Sequence, residues 1–537
     1  MSHRYLAYPL LVLAMFHLAP LWRRDRDWNQ PMIARLLVVA ILGVVAFAWP
    51  HGAWCVALGW AVFLVMVVGP QLALMASYRD RQQHRYERAA RWEQLAAALL
   101  GGRWGRLRRE LAKVLRDLAR GDDEAALTRL RGLQNQSMPV AARGVVRFWE
   151  LRLLLHRRDW LGALWLFEET SDWGSARIAT EARLQVARAF AELGDVPRAL
   201  RCLQFVVLSP SVVRLEQPLW AMRVRLAAMA GDEEELVRLL AKPPRGMGGA
   251  RWEAYWRGRC ALTRGERTEA RRWLSRAMAL TDLRDAGWRQ AIQFYLSRAE
   301  PAVSSSHTEP VVCAASLPAY QAERAALQRA EEWSRPWREL MGWTQPTPVV
   351  VGLWGGIAGV FAAQLLLPYA EAERLIVWGG NGAVTIQQGE WWRLITAMFL
   401  HGGWFHWAFN SVALWFFGSA IERRWGGTRV LVIFFGAGAA GNLLSAMSQR
   451  PDLAIGASAG IFGLLGAFSV AIAELKAPAY ATLRASLLRV LFALVAVDLL
   501  VGWLEPLVDN LAHLGGFVAG VLIAWLTRPR TAAPAQT

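Results

Sequence analysis

Two residue types are scarce in this chain of 537 residues. It contains three lysines although lysine and arginine together number 61, so arginine carries nearly all of the formal net charge of +18. Its four cysteines lack CxxC pairing and support neither a disulfide framework nor a zinc site. Charged residues make up only 19% of the chain and hydrophobic residues 55%. Long uninterrupted hydrophobic blocks lie near both ends of the chain. This distribution excludes a purely soluble enzyme and a disordered protein.

The long apolar blocks predict membrane-spanning helices. A helix needs about 20 apolar residues to cross about 30 Å of hydrocarbon. Suitable blocks lie at 5–21, 32–49, 53–76, 348–368, 395–421, 429–447, 457–474, 486–503 and 510–527. The first block lacks a clear signal-peptide cleavage site, so an uncleaved span is favoured over an interfacial helix. Arginine-rich and arginine-poor connections alternate, which predicts a cytoplasmic middle region and C-terminus.

The middle region, 78–300, has a repeating helical pattern. An acidic residue precedes an amphipathic helix at Asp122, Asp159, Asp195, Asp232 and Glu266, with spacings of 37, 36, 37 and 34 residues. A period near 34 with a helix–turn–helix unit resembles tetratricopeptide repeats, although the aromatic signature is incomplete. The region is interpreted as a docking surface for a protein partner or as a helical spacer. Its scattered arginines are more typical of a solvated face near anionic lipid than of nucleic-acid binding.

Polar residues within membrane spans are costly and mark candidate functional sites. His406 and Asn410 lie four residues apart on one helical face, and Ser458 opens a span near its outer end. His513, three residues into a span that also starts outside, is predicted at a similar depth. A serine hydroxyl needs a nearby imidazole base and donors for the oxyanion, and these residues supply both. Ser458 or His513 taken singly is more typical of helix packing.

Six short motifs occur in order across the last third of the chain. They are GGN at Gly379–Asn381, GEWWRL at Gly389–Leu394, HxxxN at His406–Asn410, ERRWGG at Glu422–Gly427, GxSx at Gly456–Ala459 and HxxGxxxG at His513–Gly520. Together they resemble the rhomboid family of intramembrane serine proteases. The resemblance implies a six-helix core and a Ser–His dyad that cleaves transmembrane substrates without a cofactor or metal.

The resemblance also assigns a role to individual residues. It implies that Ser458 is the nucleophile and His513 the general base, with His406 and Asn410 as the oxyanion residues. The residues that shape the site would be Gly456, Phe462, Gly516 and Gly520, with Phe462 against the catalytic histidine. Trp392 and Arg393 resemble a loop motif of the outer leaflet, where Arg393 has a structural role.

Two acidic residues near these motifs need separate interpretation. Asp509 lies four residues before His513 but on the loop side of the span, and the family uses a dyad. A catalytic role for Asp509 is therefore disfavoured. Asp498 lies within a span, and the sequence identifies neither a partner nor a role for it.

The sequence therefore predicts an all-α polytopic protein of a bacterial cytoplasmic membrane. The expected segments are 1–77 with two or three transmembrane helices, 78–300 with cytoplasmic repeats, 301–345 with a linker and an amphipathic helix, 346–530 with the rhomboid protease domain, and a flexible tail at 531–537. The expected partners are transmembrane protein substrates, the lipid bilayer and a protein on the repeats, without nucleic acid. The alternatives are a catalytically inactive relative that binds membrane clients, and a transporter or membrane-anchored scaffold.

Overall fold

The fold is described by a computed structural model. It covers residues 26–48, 53–282, 285–300, 317–342, 347–366, 372–448, 453–504 and 508–529. The predicted first span, 5–21, and the tail, 531–537, lie outside these ranges. The described residues are helical apart from loops and one β-bridge between Asn381 and Ala454, which confirms the predicted all-α class. The chain divides into two compact units, Met1–Arg329 and Ala330–Thr537.

The first unit begins with apolar helices. They are α1 (Arg26–Ala48), α2 (Ala53–Phe63) and α3 (Gly69–Gln82), with a π-helical turn at Leu64–Val68 between α2 and α3. The continuous helix Trp54–Arg81 is long and apolar enough to cross a membrane. Leu36, Val39, Phe63 and Val67 form a buried cluster between α1 and its neighbours. Other large apolar side chains, such as Met75, are exposed, as expected where a helix faces lipid.

The middle region consists of successive helices joined by short turns. They are α4 (Tyr86–Leu100), α5 (Gly102–Ala119), α6 (Asp123–Gln134), α7 (Val140–His156), α8 (Trp160–Glu169), α9 (Ala176–Glu192), α10 (Val196–Val207), α11 (Glu216–Ala230), α12 (Glu233–Leu240), α13 (Ala250–Thr263), α14 (Arg267–Ala279) and α15 (Ala286–Ala299). The tetratricopeptide-like assignment of these helices remains a prediction.

The recurring acidic residue of the sequence pattern lies at the N-terminus of every second helix. Asp122, Asp159, Asp195 and Asp232 each accept a hydrogen bond from the backbone N–H three residues later. This bond satisfies one of the unpaired N–H groups of a first helical turn. Glu266 occupies the same position before α14 without a side-chain capping bond. The period in the sequence thus reflects a repeated helix cap.

Helix α16 (Leu317–Met341) occupies most of the segment predicted as a linker and amphipathic helix. Within the first unit, the Tyr320 hydroxyl donates to Asp232 at 2.8 Å, and Arg324 pairs with the same carboxylate at 2.9 Å. Within the second unit, the Arg423 guanidinium donates to the Glu339 carbonyl at 3.0 Å. The boundaries of the five predicted segments remain predictions.

The second unit contains the remaining helices. They are α17 (Pro348–Leu366), α18 (Ala372–Val377), α19 (Ala383–Gln387), α20 (Arg393–Thr396), α21 (Trp404–Ala413), α22 (Ser419–Trp425), α23 (Gly427–Met447), α24 (Ser458–Ala473), α25 (Ala481–Leu504) and α26 (Asn510–Thr527). Helices α17, α23 and α26 meet the length and apolarity of a membrane span. The chain is an integral membrane protein, and the number of spans remains a prediction. The apolar block at 395–421 is not one helix, because a loop at 400–403 interrupts it before α21 begins at Trp404.

Glycines allow helices α24 and α26 to approach each other closely. A Cβ atom added at Gly516 would lie 2.9 Å from the carbonyl carbon of Ala459, and one at Gly520 would lie 2.6 Å from that of Gly463. These distances are shorter than the contacts of packed carbon atoms, about 3.5–4.0 Å. The two backbones are therefore in direct contact, which brings the first turns of α24 and α26 together.

Side chains also fix the ends of the helices around this contact. The Glu422 carboxylate accepts the first N–H groups of α17, from Val349 at 3.0 Å and Val350 at 2.8 Å. Asp509 caps α26 by accepting from the N–H of Ala512 at 2.9 Å. Both arrangements place a carboxylate beside the positive end of a helix dipole.

Candidate active site

The predicted nucleophile and base lie in contact. Ser458 is the first residue of α24, and His513 lies in the first turn of α26. The Ser458 hydroxyl and His513 Nε2 are 2.8 Å apart, within hydrogen-bond distance. Ser458 is half-buried and His513 is buried. The glycine contacts between α24 and α26 hold the two side chains at this separation.

The His513 ring is held from two further directions. The Phe462 ring, one turn after Ser458, stacks on it with centroids 4.4 Å apart and an interplanar angle of 7°. On the opposite edge from Ser458, His513 Nδ1 lies 2.8 Å from Asp498 Oδ2 on α25. A carboxylate accepts hydrogen bonds, so Nδ1 carries the proton and Nε2 presents its lone pair to the Ser458 hydroxyl.

The partner of Asp498 could not be identified from the sequence alone. Its one signal was a charge within an apolar span. Asp498 lies on α25 and His513 on α26, so no helical spacing within one segment reveals their contact. Asp509 instead accepts from the Ala512 N–H and from the Ser445 hydroxyl, so it caps α26 and does not meet the imidazole nitrogens.

Gly456 lies beside Ser458 in a backbone conformation that favours glycine, with φ of +119°. Its N–H donates to the Ala397 carbonyl at 2.9 Å. An added Cβ would lie 2.6 Å from Cε1 and 2.7 Å from Nε2 of His406. A side chain at position 456 would therefore clash with the imidazole and strain the loop.

Two side-chain donors converge on this glycine from helix α21. His406 Nδ1 accepts from the Gly402 N–H at 3.4 Å, so Nε2 carries the proton and points towards Gly456. The Asn410 amide nitrogen would lie 3.7 Å from the same Cβ position, and it is buried without a hydrogen-bond partner among the described residues. Buried amide groups normally have hydrogen-bond partners. Because the Asn410 amide nitrogen has none here, it can still donate to the oxygen of an incoming substrate.

A network of hydrogen bonds holds together the loop segment that contains Arg393. Arg393 is buried and donates to the Glu390 carboxylate, to the Ile376 carbonyl and to the Gly380 carbonyl, the last at 3.1 Å. The Asn381 amide donates to the Asn442 carbonyl at 2.8 Å. Trp392 is half exposed at the surface of the same loop. Arg393 thus holds the loop together.

All eight residues that the sequence predicted for the site lie in this neighbourhood. His401 is a further neighbour, with its ring centroid 5.0 Å from that of His406. Across the described part of the chain, no three His, Cys, Asp or Glu side chains come together as a metal ion would require. The arrangement offers an activatable hydroxyl, a base and two donors for a developing oxyanion.

Comparison with known proteins identifies the family of this site. A Rhomboid domain model matches residues 388–530. RHOMBOID-like protein 1 of Arabidopsis thaliana is 40% identical over 152 residues, 28% of this chain and 38% of the relative. The Rhomboid protease GluP of Bacillus subtilis is 36% identical over 154 residues, 29% of each chain. The relatives also include an Inactive RHOMBOID-like protein 8 from Arabidopsis thaliana. No solved structure gives a significant match.

The extent of these matches differs between relatives. The chain spans between 29% and 47% of the length of the first five relatives. It spans more of the Putative rhomboid protease YdcA of Bacillus subtilis, to which it is 32% identical over 145 residues, 26% of this chain and 69% of the relative. The chain therefore belongs to the rhomboid family.

Proposed function

We propose that this chain is an intramembrane serine endopeptidase that cleaves transmembrane segments of other membrane proteins. The observation that carries the proposal is the 2.8 Å contact between the Ser458 hydroxyl and His513 Nε2, next to the unpaired Asn410 amide. A packing serine needs neither an imidazole nor a free donor beside it. The proposed location is a bacterial cytoplasmic membrane, which the architecture and the preference for arginine over lysine favour.

In the first step, Ser458 Oγ attacks the carbonyl carbon of the scissile peptide bond. Its proton moves to His513 Nε2 as the Oγ–C bond forms. The carbonyl oxygen becomes an oxyanion, and Asn410 Nδ2 and His406 Nε2–H are the donors on hand to stabilise it. The peptide C–N bond then breaks, and His513 returns the proton to the departing amine.

In the second step, water hydrolyses the acyl-enzyme. His513 takes a proton from the water as the water oxygen attacks the ester carbonyl carbon. The Oγ–C bond then breaks, His513 passes the proton to Ser458 Oγ, and the carboxyl product leaves. A helical substrate has its carbonyls engaged in backbone hydrogen bonds, so the segment must unwind locally before attack.

The alternative is an inactive family member that binds membrane clients, as the name of one relative describes that protein. An intact Ser–His contact with Asn410 beside it favours the catalytic function. The two alternatives differ in whether a client is cut.

The test uses the full chain in liposomes with a fluorescent transmembrane substrate. Ser458→Ala is expected to abolish cleavage. Ser469→Ala, a buried serine of the same helix that donates to the Leu465 carbonyl, is the matched control and is expected to retain it. Cleavage that persists in Ser458→Ala, or is absent from the wild type, would overturn the proposal.

A second proposal concerns the repeats. A groove in the first unit has a lining rich in tryptophan and tyrosine, with four arginines and one glutamate. The arginines are Arg158, Arg188, Arg225 and Arg259. The Arg259 guanidinium lies 3.7 Å from the centroid of the Tyr295 ring. We propose that this groove binds an acidic segment of a protein partner, because both the charge and the aromatic faces favour it.

Tryptophan fluorescence of the full chain includes the emission of the four tryptophans that line this groove among the 29 of the sequence. Titration with a glutamate-rich peptide is expected to change the emission, and Arg259→Glu is expected to weaken the change. A lysine-rich peptide of the same length is the control. Equal binding of the two peptides would contradict the proposal.

A further inference from the structure

Asp498 is a charged residue within an apolar helix, about a turn and a half before the end of α25. A carboxylate at this depth is costly unless it is paired. Its side chain is 23% exposed, and Oδ2 lies 2.8 Å from His513 Nδ1. The Ser–His dyad that the family resemblance implies does not use this contact.

We propose that Asp498 is a positioning residue that completes a Ser458–His513–Asp498 arrangement on three separate helices. The inference rests on the proposed protease function. The Asp498 carboxylate holds the proton on Nδ1, so that Nε2 is unprotonated when it must accept the Ser458 proton. An imidazole without this partner distributes its proton between both nitrogens and spends part of its time in the unreactive tautomer.

Asp498 also acts after the proton has moved. When Ser458 transfers its proton, the His513 ring becomes a cation, and the carboxylate on its other edge stabilises that charge. Asp498 does not take the proton itself. The arrangement thus places a negative charge where positive charge develops, in a setting with little water to screen it.

The other groups around the His513 ring do not perform this task. Phe462 packs against the face of the ring, and His406 and Asn410 lie on the side of Gly456. The carboxylate four residues before His513, Asp509, already accepts from a backbone N–H and a serine hydroxyl. Among the contacts of the His513 ring in the described part of the chain, Asp498 supplies the carboxylate.

A purely structural role for Asp498 would be to tie α25 to α26. Leu499, the residue after Asp498, takes part in a second tie between the two helices, because its carbonyl accepts from the Asn510 amide at 2.8 Å. Asn510 therefore offers a control for the structural role. This bond also joins α25 to α26 at the same level but does not involve His513. Asn510→Ala therefore removes a tie between the helices and leaves the imidazole partner in place.

The experiment measures the rate at which a fluorophosphonate probe acylates Ser458 in the purified full chain, together with kcat and KM for a transmembrane substrate. Asp498→Ala is expected to slow acylation and to lower kcat by about 10- to 100-fold, as for loss of a hydrogen bond to a charged group, with KM unchanged. Asp498→Glu is expected to recover most of this loss. Asn510→Ala is expected to react like the wild type.

The asparagine variant distinguishes positioning from anchoring. Asp498→Asn keeps the shape of the side chain, so a helix tie would survive better in it than in Asp498→Ala. An amide can instead donate to Nδ1 and favour the wrong tautomer, so we expect Asp498→Asn to be at least as impaired as Asp498→Ala. Wild-type rates in both variants, or equal loss in Asn510→Ala, would overturn the positioning role. Failure of the wild type to react would instead refute the protease function.

Discussion

A single methyl group at Gly516 should separate the Ser458 hydroxyl from its base. The Cβ of Gly516→Ala would lie 2.9 Å from the Ala459 carbonyl carbon, and still closer to its oxygen. Packed carbon atoms are about 3.5–4.0 Å apart, so α26 must retreat from α24 by about 1 Å. Backbone atoms form both sides of this contact, so no side-chain rotation can relieve it.

This displacement acts directly on the reacting groups. The 2.8 Å separation between Ser458 Oγ and His513 Nε2 would grow to about 3.8 Å, beyond hydrogen-bond reach. A misplacement of about 1 Å can lower the rate about 100-fold. We therefore expect Gly516→Ala to lower kcat by about that factor, with little change in KM.

The assay is cleavage of a fluorescent transmembrane substrate by the reconstituted full chain. Gly359→Ala is the matched control, because Gly359 lies in α17 and a Cβ there meets no atom within 4 Å. Both variants remove one helical glycine, and only Gly516→Ala disturbs the contact between α24 and α26. Full activity of Gly516→Ala would refute the view that this contact sets the catalytic distance.

Three further predictions follow from individual contacts. Asn410→Ala removes a donor of the oxyanion site and should lower kcat about 10²- to 10³-fold while client binding persists, as measured by cleavage and pull-down of the same substrate. Asp195→Ala removes the cap bond to the Arg198 N–H and should lower the free energy of unfolding of the first unit by about 1 kcal/mol in denaturant titrations, whereas Asp195→Asn should lower it less. Burial raises the pKa of Cys202 to about 11 and that of Cys260 to about 12, so both thiols are neutral at pH 8 and iodoacetamide should leave them unmodified until the chain is denatured. Cleavage by Asn410→Ala at the wild-type rate would contradict the first prediction, and an unchanged free energy of unfolding in Asp195→Ala would contradict the second. Rapid alkylation of Cys202 or Cys260 in the native chain would contradict the third.

Helical spacing in the sequence indicates which side chains of the candidate site share one helix. His406 and Asn410 are four residues apart, so one face of α21 carries both. Ser458 and His513 each lie in the first turn of a helix, and the predicted topology gave both residues a similar depth. Gly516 and Gly520 indicated close helix packing in the sequence. In the structure, Gly516 packs against the backbone of Ala459, and Gly520 packs against that of Gly463.

Contacts across loops were beyond the reach of the sequence. Asp498 and His513 belong to different helices, so whether they meet depends on how α25 and α26 pack against each other. The apolar block at 395–421 looked continuous because apolarity does not distinguish a buried loop from a helix, and Gly403, with φ of +138°, breaks it before α21. The recurring acidic residues reveal the period of the repeats in the sequence. Their role as helix caps becomes visible only when the first residue of each helix is known.

The central claim is that Ser458 is a nucleophile activated by His513. The most direct measurement is mass-spectrometric mapping of the residue that a fluorophosphonate probe modifies in the native full chain. The account predicts a phosphonylated Ser458 in the wild type, and no adduct there in His513→Ala. Modification of a different serine, or an equal rate of Ser458 modification in His513→Ala, would contradict it.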